Sequence, residues 1–254
     1  MISGPLIRYV LMAAVRDRLI LSLLLVIVLG SCLSVFLGSA AVIESQKFAL
    51  VFAAGGLRFT GIIGLVLFVV FHIRRSFDNK DIEFLLSRPI SRTSFILSHA
   101  IAFSMLSLAL SLSIALIVLL LSVGKIGVGH ELWIFSLIME YLIVVNSALF
   151  FAMVVPTASG GALAVFGLYI LSHLIGDLLG DARTFQTSAS VILDPVMNIV
   201  SMAVPRLDLM AQTAWLVYPD GGHNVGFIFI LAQGVFYCGL LISAALIDLR
   251  RRQF

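Results

Sequence analysis

Residues 95–123, FILSHAIAFSMLSLALSLSIALIVLLLSV, run without one Asp, Glu, Lys or Arg. Crossing the roughly 30 Å hydrocarbon core of a bilayer takes about 20 apolar residues as a helix, so this run is long enough to span. A lipid-exposed backbone must satisfy its own hydrogen bonds, and long unbroken apolar runs do this as helices rather than as the strands of a barrel. Five further runs lie at approximately 19–43, 49–73, 132–155, 162–180 and 226–248. The whole chain agrees: of 254 residues 61% are hydrophobic and 11% charged, and the mean hydropathy is +1.15. In soluble proteins about a quarter of residues are charged. The sequence therefore predicts an all-α polytopic membrane protein with six transmembrane helices, forming one transmembrane domain over residues 1–254.

Charge sets the expected orientation, because Lys and Arg near span ends are retained in the cytoplasm. The N-terminal segment holds Arg8, Arg16 and Arg18, the block after the second run Arg74, Arg75, Lys80, Arg88 and Arg92, and the tail Arg250, Arg251 and Arg252. With six spans all of these fall on one side, which predicts that both termini are cytoplasmic. Lys47, Arg58, Lys125, Arg183 and Arg206 fall outside or within a span. The net charge of +3 is thus accounted for by topology, and no nucleic-acid partner is implied. Cys32 and Cys238 lie inside apolar runs as expected small core residues, with neither disulfide-framework nor metal-knuckle spacing. Leu29–Gly30–Ser31–Cys32 loosely resembles a lipoprotein processing box, yet apolar sequence continues past it.

Outside the spans, residues 1–18 contain Pro5 at a helix-start position and mixed apolar and basic residues. They fit a short interfacial helix or an extension of the first span. Residues 156–161, PTASGG, form a short uncharged link. Residues 181–225 form a long outer segment in which Ile192, Val196, Ile199, Val200 and Ala203 recur at helical spacing. Pro195 and Pro205 forbid one unbroken helix, so interfacial or re-entrant pieces are expected rather than a seventh span.

The charged block before the quoted run is ordered. Asp78, Lys80, Asp81 and Glu83 precede Phe84–Leu85–Leu86, and Ser87–Arg88–Pro89 ends the segment, since the residue before Pro avoids the helical region. Ser91, Thr93 and Ser94 then offer caps for the third span. The run EFLLSRPISR, Glu83 to Arg92, followed by Phe95–Ile96–Leu97–Ser98 and an apolar span, resembles the signature of type-2 ABC transporter permeases. Arg16 and Arg18 before the first span and the basic tail fit the same family. The resemblance implies that residues 74–94 form a coupling segment. In it Asp81 to Ser87 would be the coupling helix, with Asp81, Glu83, Phe84 and Leu85 meeting a cytoplasmic ATPase, and Arg88, Pro89 and Arg92 fixing it to the third span. It further implies a bacterial inner-membrane location, two copies of an ABC ATPase subunit, a second permease copy as homodimer or heterodimer, and export. No G-x-x-x-x-G-K-[ST] phosphate loop occurs, so no cofactor is expected on this chain; ATP and magnesium would sit on the partner ATPase. A purely topogenic loop would explain the arginines but not the ordered acid, Leu-Leu, Pro and Ser-x-Arg. The rival is a channel or assembly factor not coupled to ATP.

Charges within spans are costly and are paired or functional. Arg58 and Glu140 lie about nine and eight residues inside the outer starts of spans two and four, roughly 12 to 14 Å deep. Their matched depth predicts an intramembrane ion pair, with Ser136 and Ser147 on the Glu140 face. The alternative is an outward-snorkelling Arg58 with a neutral or water-facing Glu140. His173, Asp177 and Asp181, at i, i+4 and i+8, form a candidate polar stripe at the outer end of span five, although three ligands on one helix do not converge on one ion. His72 and His99 flank the charged block, where interfacial placement is expected. Gly55, Gly56, Gly61 and Gly64 are expected to serve close helix packing. Gly176–Asp177 and Gly180–Asp181 faintly resemble the Gly-Asp of intramembrane aspartyl proteases, but such chemistry needs carboxylates from two facing helices. Ser159 lies in an expected cytoplasmic turn with no His placed to activate it. The expectation is accordingly a transporter subunit with no catalytic residue and no metal site, whose substrate is not encoded legibly.

Overall fold

The computed structural model describes residues 3–40, 44–79, 91–122, 126–184, 204–218 and 225–251, and the side chains of all of these except 19, 20 and 177–184. The described chain is helical, with no strand among the described residues. In order the elements are α1 (Gly4–Arg16), α2 (Leu19–Ala40), α3 (Ser45–Asp78), α4 (Arg92–Leu121), α5 (Val128–Val154), α6 (Ala158–Thr184), a 3-10 turn (Leu207–Leu209), the one-turn α7 (Ala214–Val217) and α8 (Phe227–Arg251). Six of them, α2 to α6 and α8, are long and apolar enough to cross a membrane. Their outer faces carry Phe36, Leu120, Leu163, Ile228 and Val235, all exposed. A bundle whose surface is this apolar is stable against lipid and not against water.

The helix α5 is the hub. It packs against α3, α4, α6 and α8, and Trp133, Leu137, Tyr141, Val145 and Ala148 are fully enclosed. Lipid is as apolar as the helices, so contact depends on small residues that let backbones approach. On α2, Gly30, Ser34 and Gly38 recur every fourth residue along the face against α3; a Cβ at Gly30 would meet the Leu57 side chain at 3.0 Å and one at Gly38 the Ser45 carbonyl at 2.9 Å. On α3, Gly61 receives the Tyr141 hydroxyl and Gly64 the Leu23 side chain. Gly55 and Gly56 differ from expectation: nothing approaches the place of their missing Cβ, because this part of their face meets no neighbour.

Residues 4–16 form a helix of their own. Pro5 stands at its start, and it stops at Asp17, after which Arg18 takes a left-handed φ of 54° before α2 begins. Leu6, Val10 and Ala14 bury one face, α4 being the main neighbour, and the Ser3 amide donates to Ser98 Oγ at 2.9 Å. One expectation is corrected. Cys32 is not a core residue but lies exposed on α2, because the α3-facing stripe passes through Gly30 and Ser34 instead. His99 stands near the start of α4, covered by its neighbours. It is 2% exposed among Phe95, Phe103 and His72, and its Nδ1 donates to the Phe95 carbonyl at 2.9 Å.

Ser91 caps α4 by accepting from the Ser94 amide at 3.2 Å. Within the 156–161 link, Thr157 Oγ1 accepts from the Gly160 amide at 3.2 Å, and the Arg74 guanidinium donates to the Pro156 carbonyl. The expected coupling helix, with Asp81, Glu83, Phe84, Leu85, Arg88 and Pro89, and the apolar recurrence from Ile192 to Ala203 lie outside the described residues.

Candidate functional site

Long apolar helices place Arg58 on α3 opposite Glu140 on α5, and α6 and the 204–218 segment close around them. The helices start before the expected spans, and the pair lies about 20 Å along α3 from Ser45 and about 18 Å along α5 from Val128. The two side chains meet as a fork on a carboxylate: Arg58 Nε donates to Glu140 Oε2 and Nη2 to Oε1, both at 2.7 Å. Glu140 has no exposed surface, and the Arg58 side chain is 13% exposed.

The remaining bonds come from two other elements, α6 and the 204–218 segment. Tyr169 on α6 donates its hydroxyl to Glu140 Oε1 at 3.0 Å. Arg58 Nη1 donates to the Ala211 carbonyl at 3.0 Å. Arg58 Nη2 lies 2.8 Å from His173 Nε2, and His173 Nδ1 lies 3.1 Å from the Tyr169 carbonyl. A guanidinium can only donate and a carbonyl can only accept, so Nδ1 carries the proton and Nε2 accepts. The 3.9 Å approach of His173 Nε2 to Glu140 Oε1 is therefore not an ion pair. Four of the five N–H groups of a guanidinium are used, and both carboxylate oxygens are engaged.

Ala211 is the less obvious member. The 204–218 segment enters the bundle with Leu207, Met210, Ala211, Trp215 and Leu216 buried, and Ala211 takes a left-handed φ of 47°. Its carbonyl accepts from Arg58 and from Trp133 Nε1 at 3.2 Å, and its amide donates to Ser136 Oγ at 2.8 Å. Tyr237 on α8 holds the start of the segment by donating to the Val204 carbonyl at 3.0 Å. Arg206 and Asp208 pair at 2.7 Å; the Asp208 hydrogen bond raises the Arg206 pKa above its ordinary value. The Asp208 carboxylate lies over Gly176 of α6, in space that only glycine leaves open.

Of the residues singled out from the sequence, Arg58, Glu140, Ser136 and His173 thus converge, and Ser147 does not: its hydroxyl donates to the Ile143 carbonyl of its own helix at 2.9 Å. His173 turns toward Arg58; the side chains of Asp177 and Asp181 are not among those described. Tyr169, Trp133, Tyr141 and Ala211 were not anticipated. Tyr169 stands one turn before His173 and was readable as a polar neighbour, whereas a backbone carbonyl such as that of Ala211 has no residue-type signal. The neutralised pair, with both carboxylate oxygens bonded and little exposure, joins α3, α5, α6 and the 204–218 segment as a clamp. Among the described residues no three His, Cys, Asp or Glu side chains could hold a metal ion.

At the other end of the bundle, Arg92, the last residue of the ordered charged run, donates from Nη1 to the Leu249 and Arg250 carbonyls at 3.0 and 3.3 Å. These are at the end of α8, where carbonyls lack helical partners and favour a cation. Comparison of the sequence with protein-family models and with curated proteins gives no match.

Proposed function

We propose that this chain is the membrane-spanning subunit of an ATP-driven transporter, worked by a separate cytoplasmic ATPase. The observation that carries the reading is the ordered run from Glu83 to Arg92, which a topogenic loop does not require. Two features support it. No phosphate loop occurs in these residues, which fits a motor carried on another polypeptide. The Arg92 bonds to the end of α8 give a push on the charged segment a direct route into both α4 and α8. In this reading Asp81, Glu83, Phe84 and Leu85 meet the ATPase, Arg88 and Pro89 form the turn, and two copies of the chain act with two ATPases as an exporter in a bacterial inner membrane. The buried Arg58–Glu140 cluster then keeps the far half of the bundle rigid, so that displacement at one end moves helices as bodies.

The test is co-purification from the native membrane in mild detergent. A nucleotide-binding subunit is expected in fixed stoichiometry and is lost on Glu83→Lys or Pro89→Ala, with the bundle still monodisperse. A clean preparation with no nucleotide-binding partner sinks the reading.

A further inference from the structure

Between α1 and the end of α3 lies a cavity of about 1010 Å³. One face of α1 lines it, at positions 5, 8, 9, 12, 13 and 16, which is helical spacing. Arg8 and Arg16 from α1 and Arg75 from α3 bring three positive charges, against one negative charge on Asp17. None of the three arginines forms an ion pair among the described residues. Beside them stand Tyr9 and Met12, 53% and 52% exposed. His72 also lines the cavity, with its Nε2 buried and without a hydrogen-bond partner among the described residues.

We propose that this cavity is a site for the headgroup of an anionic phospholipid. The net charge of the lining is positive, which favours a phosphate, and guanidinium forks match phosphate oxygens. A soluble phosphate would have no use for the apolar wall. Tyr9, Met12 and Val15 continue as exposed apolar surface along α1, which suits an acyl chain leaving the headgroup. The site also stands at the correct level: α1 precedes the first apolar span, and Arg75 is in the last turn of α3, where headgroups meet the ends of spanning helices. Basic pockets beside transmembrane helices hold acidic headgroups by this combination of charge and depth. The inference does not depend on whether an ATPase docks.

Native mass spectrometry of the full chain, delipidated in detergent and titrated with phosphatidylglycerol or phosphatidylcholine, tests it. One phosphatidylglycerol per chain is expected to be held in preference to phosphatidylcholine. Arg8→Gln and Arg75→Gln are each expected to weaken it about fivefold, since each basic residue near an anionic membrane surface contributes about 1 kcal/mol. Arg251→Gln removes a charge outside the cavity and is expected to leave retention unchanged. Arg16→Gln, on the exposed face of α1, is a third independent variant of the lining and is expected to weaken retention by a similar factor, so one arginine variant that fails to fold does not leave the site untested. Equal retention of both lipids, or an equal loss in Arg251→Gln, would show only general charge attraction and overturns the site. Displacement by excess inorganic phosphate would assign it to a soluble anion, and retention only after Asp81→Asn with Glu83→Gln would assign it to the chain's own acidic segment; either result overturns the lipid.

Discussion

Glu140 is enclosed on all sides, so its charge is tolerable only while Arg58 stands beside it. Removing one member of a buried pair leaves the other unpaired and costs about 3 to 5 kcal/mol, while replacing both with apolar groups can be much cheaper. Arg58→Met and Glu140→Leu are therefore each expected to lower stability by about 3 kcal/mol or more, and the double variant by less than the sum, read from denaturant or thermal midpoints in detergent. Additive losses would sink the clamp. The Ala211 carbonyl sharpens this further. A charge swap, Arg58→Glu with Glu140→Arg, restores the pair but turns a carboxylate toward that carbonyl, so the swap is expected to recover less stability than the neutral double. The pair itself was legible, because two isolated charges at matched depth in apolar runs have few other partners. The Ala211 carbonyl beside it was not, because the accepting atom is backbone.

Among the elements, α3 depends on where its glycines fall. An alanine Cβ at Gly61 would land on the Tyr141 hydroxyl and 2.9 Å from Ile114 Cδ1. It would also disturb the bond by which Tyr141 donates to the Arg58 carbonyl at 2.9 Å. Overpacking of this kind costs about 1 to 3 kcal/mol. At Gly55 the same change meets nothing, and alanine favours helix over glycine by up to about 1 kcal/mol. Gly61→Ala is thus expected to lower the thermal midpoint and Gly55→Ala to leave it unchanged or raise it; equal effects would mean that the α3–α5 contact is looser than drawn. The sequence does not separate these two glycines, since both sit in the same apolar run and only the neighbouring helix distinguishes them. The break after α1 falls where the first apolar run begins at residue 19, but whether residues 4–16 extend that run or form a helix of their own is not readable, because the chain turns at Asp17–Arg18 without a glycine or proline.

At the scale of the whole molecule, hydrophobic length alone made six spans legible, and the packing order around α5 required coordinates. The ends of the bundle are now distinguishable. Ser3 bonds Ser98 and Arg92 bonds the end of α8, which gathers α1, the start of α4 and the last turn of the chain at one end. Tyr218 marks the opposite end, with Lys47 at the start of α3 over its ring at 5.8 Å. The arginines gather at the first of these ends, so retention of positive charge in the cytoplasm predicts that this end faces inside. Single cysteines test this in a background with Cys32 and Cys238 replaced by serine. Both probe positions are exposed, so neither change should perturb packing. A membrane-impermeant maleimide is expected to label Tyr218→Cys in intact cells and Arg251→Cys only after the membrane is opened. The inverse pattern would reverse the orientation and, with it, the side from which an ATPase could reach Glu83. Labelling of both positions from outside would place the two ends of the bundle in one compartment, which six crossing helices cannot do.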